Sequence, residues 1–243
     1  MRTLALVVSV VMAGASLAQA DVLTIRTDVD TYLRQQAPTA VYPTSNLLIG
    51  EDTTSLTANA VFAFDIPAVL SGKTIQSVTL TLTANSANAG ARGGTFEVYE
   101  LRRVFSEAYA SWTNYSRVGV AGDMLPWTTP GAGSTTEDRY NTLLSSLSPT
   151  TTEIRSASSV YDFVGNSSFA SAVSGKAGNT LYLIVQLAAD ELTDSDVTQM
   201  RIYSGEVATE SYRPTLTVNY VPEPVSMALL GLGGLGLLTR RRK

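Results

Sequence analysis

Apolar and polar residues alternate along most of this chain. From Ile75 to Thr83, Val78, Leu80 and Leu82 fall on one face and Thr79, Thr81 and Thr83 on the other. In Asn59–Asp65, Phe62 and Phe64 share a face while Val61 and Ala63 take the opposite one. A period of two sends successive side chains to opposite sides of an extended backbone, so each run predicts a β-strand. Further strands read at Val22–Thr27, at Thr95–Leu101 with Phe96 and Val98 inward, and at Leu181–Leu187 with Leu181, Leu183, Val185 and Leu187 inward. Two more read at Gln199–Ser204 and at Pro214–Tyr220, where Leu216, Val218 and Tyr220 align. Gly, Asn, Ser, Asp and Pro separate these runs. Seven or more short strands with threonine-rich outer faces predict an all-β fold, an antiparallel β-sandwich.

Two stretches differ. Ser167–Val173 reads as a short helix. Val118–Ser158 is rich in Gly, Ser, Thr and Pro, with few apolar residues in register. It reads as a long polar loop insertion (118–158) with one short helix near Tyr140–Leu147. Loops of that length are uncommon in compact domains and are often functional.

Both ends carry a separate pattern. Arg2 precedes an apolar stretch, Leu4–Met12, and then Ala18-Gln19-Ala20. A charged start, an apolar centre and an A-x-A end predict a signal peptide over residues 1–20, with Ala18 and Ala20 setting the cleavage site and Asp21 starting the mature chain. At the other end Val221-Pro222-Glu223-Pro224 leads into the apolar run Val225–Leu238, then Thr239 and Arg240-Arg241-Arg242-Lys243. As a helix, residues 225–239 reach ~22 Å, short of a ~30 Å hydrocarbon core. Four glycines weaken this span further as a permanent anchor. The terminal cations resist translocation, so the body lies across the membrane from the cytoplasm, with a short hydrophobic helix inserted transiently in the inner membrane.

Composition narrows the chemistry. Removing both ends leaves residues 21 to about 221, suited to one large all-β domain, with 12 basic against 20 acidic residues and a net charge of −8. That balance argues against nucleic acid and anionic lipid. It suits neutral sugars or bound divalent cations. There is no Cys, so stability rests on the core alone. There is no His, which removes Ser-His-Asp and Cys-His arrangements and any ordinary zinc site.

The tail, residues 221–243, resembles the PEP-CTERM sorting signal of Gram-negative bacteria: motif, span and basic end occur in order at the terminus. The resemblance implies that Pro222, Glu223 and Pro224 form a sorting motif. It also implies that exosortase, a membrane protease, cuts near it, and that the protein serves the cell surface or extracellular matrix of an exopolysaccharide-producing bacterium.

The body resembles the DNRLRE-type domain, a sandwich related to carbohydrate-binding modules. The matching pieces include Asp30-Thr31-Tyr32-Leu33, Asn46-Leu47-Leu48-Ile49-Gly50, Ala63-Phe64-Asp65-Ile66-Pro67 and Val98-Tyr99-Glu100-Leu101. They continue with Phe105-Ser106-Glu107, Ser111-Trp112-Thr113-Asn114, Tyr203-Ser204-Gly205-Glu206 and Arg213-Pro214-Thr215-Leu216. This resemblance implies a jelly-roll-like fold and a binding or structural role, here without a companion catalytic domain.

Candidate residues follow. Trp127, between Pro126 and Thr128 in the polar loop, and Tyr115 are candidate sugar-stacking rings, since sugars lay C–H faces on exposed aromatics. Trp112 reads as a packing residue. Asp28 and Asp30 are candidate Ca2+ ligands, whereas Asp190–Asp196 lacks the EF-hand pattern and reads as a solvated turn. Glu97 and Glu100 fall on opposite faces of one strand, which does not suit paired-carboxylate hydrolysis, and no catalytic residue is assigned. The expectation is a non-catalytic exported protein associating with exopolysaccharide in biofilm matrix. The alternatives are a purely structural matrix or appendage protein and a polysaccharide-degrading enzyme.

Overall fold

The computed structural model describes residues 19–27, 29–42, 46–53, 56–85, 91–119, 122–157, 159–193 and 197–222. All of the expected signal peptide except Gln19 and Ala20, and the apolar C-terminal helix, lie outside these residues, and no helix among the described residues is long and apolar enough to cross a membrane. The fold is predominantly β, with open sheets.

The smaller sheet runs β1 (Asp21–Arg26), β13 (Thr215–Val221), β5 (Thr74–Thr83) and β10 (Val160–Val164), every neighbour antiparallel. The larger runs β12 (Gln199–Ile202), β3 (Leu47–Thr53), β4 (Leu56–Asp65), β11 (Thr180–Leu187), β6 (Phe96–Leu101) and β9 (Arg139–Leu147). β2 (Val29–Arg34) pairs with β4 as well.

The alternation read from the sequence decides which faces meet. Val78, Leu80 and Leu82 of β5, Leu216 and Val218 of β13, and Phe163 of β10 share one core with Phe62 and Phe64 of β4 and Leu181, Leu183 and Val185 of β11. The intervening threonines pair across the outer face of the smaller sheet, Thr215 opposite Thr81 and Thr217 opposite Thr79. That face is wet, as one side of an antiparallel sheet can be.

The larger sheet is apolar on both faces. Val61, Tyr99, Leu101 and Ile184 point away from the main core and form a second cluster with Phe105, Ala110, Trp127 and Ala132. The near-continuous apolar runs of β4 and β11 therefore come from burial on two sides. The segment between β6 and β9 supplies the cover. It contains a small hairpin of β7 (Asn114–Arg117) and β8 (Met124–Pro126).

This corrects the reading of residues 118–158 as a polar loop. They carry β8, β9 and α1 (Thr151–Ile154). The helix expected at Tyr140–Leu147 is strand β9, with Leu143 opposite Tyr99 and Leu147 opposite Phe96. Pairing with the exposed edge of β6 overrides a local sequence with little pattern of its own. The helix expected at Ser167–Val173 is present as α2 (Ser167–Gly175). Asn166 caps it, its Oδ1 accepting from the Ser168 and Phe169 N–H groups at 2.8 and 3.2 Å. Phe169 and Val173, four residues apart, bury its inner face.

Candidate functional site

β2 is almost wholly buried, and Asp30 is 0% exposed within it. Its Oδ2 accepts a hydrogen bond from the Gly205 N–H at 2.7 Å, which ties the turn after β12 to β2. The next residue, Glu206, hydrogen-bonds through its side chain to Glu107, from the turn after β6. Glu107 also accepts from the main chain of Asp30. One oxygen from each of Asp30, Glu107 and Glu206 lies within 4.8 Å of the others.

The setting opposes ionisation of Glu107. Burial pushes the Glu107 carboxyl up to about 7; the hydrogen bond and charge of Glu206 push the same way, and the Asp30 main-chain bond only partly opposes them. Glu107 therefore holds its proton to higher pH than an ordinary carboxyl. A hard cation such as Ca2+ also accepts such oxygens, but takes six to eight, of which this trio supplies three. Of the two expected calcium ligands, Asp30 belongs to the trio and Asp28 lies outside the described residues.

Each trio member comes from a different piece of the body resemblance: Asp30-Thr31-Tyr32-Leu33, Phe105-Ser106-Glu107 and Tyr203-Ser204-Gly205-Glu206. Neither Glu107 nor Glu206 is among the candidate residues read from the sequence. Their order in those pieces is the one signal in the sequence that links them.

The aromatic candidates go inward. Trp127 is 3% exposed, and its indole Nε1 donates to the Ser111 carbonyl at 3.0 Å. The Tyr115 ring is half-buried, 5.4 Å from that of Trp127, with Arg103 over its own ring at 5.4 Å. Neither presents an open platform to a sugar; both hold the covering segment on the second apolar cluster. Trp112 packs as read: Gly131, at φ 76°, lies so close that a Cβ there would meet the Trp112 ring at 2.5 Å.

The buried Asp138 fastens the same segment. Its carboxylate accepts from the N–H groups of Thr128, Thr129 and Ser134 at 2.9, 2.9 and 3.2 Å, with Arg103 Nε 3.8 Å away. Glu191 is also engaged, accepting from the Thr95 N–H at 2.9 Å, while Asp194 and Asp196 lie outside the described residues.

At the termini, Ala20 is exposed and Pro222 half-buried, one residue past the end of β13. Ala18, Glu223 and Pro224 lie outside the described residues. The sheet thus delivers the chain directly to the tail motif. Residues 221–243 match the PEP-CTERM protein-sorting motif. The chain is an exported, cell-surface-directed protein of the Gram-negative type sorted by exosortase. No curated protein matches the chain.

Proposed function

We propose that this PEP-CTERM protein is a non-catalytic β-sandwich of the cell surface or extracellular matrix that associates with exopolysaccharide. The observation that carries the reading is the sorting motif at 221–243, which marks the chain as an exported protein sorted by exosortase. The resemblance of the body to the DNRLRE-type, jelly-roll-like sandwich agrees with two facing sheets around one core.

The carboxylates support the non-catalytic part. Paired-acid glycosidases hold their two carboxyl groups about 5–9.5 Å apart across a substrate cleft. Glu107 and Glu206 bring carboxyl oxygens within 4.8 Å of each other beside Asp30, and Asp138 accepts from three main-chain N–H groups. These acids tie loops together. With no His and no Cys, the common nucleophile–base pairs are absent from the sequence.

The test is fractionation of the producing bacterium followed by a pull-down of the exported protein on its own exopolysaccharide. Retention in the polymer fraction, without release of sugar products, is the expected result. A protein that stays soluble and binds no polymer has a structural, protein–protein role instead. Steady product release that one Asp or Glu substitution abolishes would make it an enzyme.

A further inference from the structure

β9 is an edge strand, and α2 lies against it and β5. Tyr140, Thr142 and Leu144 of β9 line one cleft of about 450 Å³. The helix contributes only small groups to the opposite wall, among them Ser168, Ser171 and Gly175. At one end Lys176 Nζ stands 3.3 Å from Glu100 Oε1, the two side chains 35% and 14% exposed. Tyr140 is 37% exposed, and the Arg102 guanidinium, 3.9 Å from its ring centroid, holds the ring in place.

We propose that this cleft binds a neutral glycan segment, with Tyr140 as its aromatic wall and Glu100 and Lys176 as its hydroxyl-recognising end. The proposal rests on the exopolysaccharide reading above and gives it a site. A pyranose offers flat C–H patches ringed by hydroxyls. It therefore needs one exposed ring and a few donors and acceptors that are already fixed. Tyr140 supplies the ring, Glu100 an acceptor, Lys176 a donor, and the Ser and Thr hydroxyls both. The one cation of the lining, Lys176, is paired with its one anion, Glu100, and the acidic body repels polyanions, which favours a neutral sugar.

The helix keeps the cleft open. Gly175 is exposed and lines the cleft, and a Cβ built there meets nothing within 4 Å among the described residues, so a larger side chain can be added at this position without a clash. A larger cleft on the other flank of α2, about 700 Å³, is bordered by Gln76, Asn166 and Ser174 and has neither an aromatic ring nor a charged pair in its lining. It lacks the features that would orient a sugar.

Gly175 provides the test. Gly175→Leu adds a bulky side chain to the lining, and Tyr140→Ala removes the wall; Gly175→Ala is the control. The full chain and the variants are run through gels containing the bacterium's exopolysaccharide, dextran as a neutral polymer, or alginate as an anionic one, with thermal melts confirming that each variant folds. The expected result is salt-resistant retardation of the wild type and of Gly175→Ala by exopolysaccharide or dextran, weakened at least tenfold in Gly175→Leu and Tyr140→Ala. Should Tyr140→Ala fail to fold, Gly175→Leu decides alone. Unchanged retardation of both cleft variants overturns the site and leaves the exopolysaccharide reading standing. Retardation by alginate alone, abolished by salt, overturns the neutral-glycan assignment. A wild type retarded by no polymer overturns both.

Discussion

Glu107 and Glu206, 99 positions apart in the chain, meet carboxyl to carboxyl beside the buried Asp30. With its folded value raised to about 7 from an ordinary 4.5, Glu107 binds its proton more tightly folded than unfolded. Its contribution to stability is complete below about pH 4.5 and is lost as pH rises through 7. Glu107→Gln, neutral at every pH, removes that slope. Urea midpoints at about pH 5 and pH 8 should differ less in the variant than in the wild type; equal differences would show that Glu107 ionises normally.

Asp138→Ala strips three main-chain N–H groups of a charged acceptor under the covering segment. The expected cost is about 3 kcal/mol, the scale for losing buried bonds to a charge. Because that segment seats Trp127, its emission should shift toward the exposed wavelength before the global transition. A single coincident transition would show that the segment and the sheets unfold as one unit.

Gly131→Ala tests the packing of Trp112. Alanine would carry its Cβ into the indole ring at a positive φ, adding steric conflict to backbone strain. The variant should lose roughly 1–3 kcal/mol by urea unfolding, and a neutral result would show that the Trp112 ring has room to move.

Phe62→Ala opens the centre of the main core, where Phe62 is 0% exposed and packs beside Phe64 at a ring separation of 6.4 Å. A loss of about 3–5 kcal/mol is expected. A loss below about 1 kcal/mol would mean that the two sheets are not closely packed there.

Replacing Pro222-Glu223-Pro224, directly after the last strand, with alanines tests the sorting motif. Intact-mass measurement of the cell fractions should show the uncut chain accumulating with the membrane. Normal processing of the variant would place the recognition determinant elsewhere in the tail.

The strands were legible because a period of two is a local property. Val78, Leu80 and Leu82 face inward wherever their partners come from, and they do so here. Trp127 was misread for the converse reason. Its neighbours Pro126 and Thr128 look like loop, while what buries it is the second apolar face of a sheet whose strands lie far away in the chain. β9 was missed likewise: Tyr140–Leu147 becomes a strand because β6 offers an open edge.

The sequence alone determined export, the all-β class, the faces of the principal strands, and the absence of histidine and cysteine chemistry. Each of these is written in contiguous residues or in composition. The tertiary structure decided which acids meet, which rings are covered, and where a cleft remains open. Asp30, Glu107 and Glu206 come together only when three separate turns and strands pack at one place, and the cleft lined by Tyr140 and Lys176 forms only where α2 settles against the edge of β9. Such features depend on contacts between distant residues, for which a single sequence carries no periodic signal.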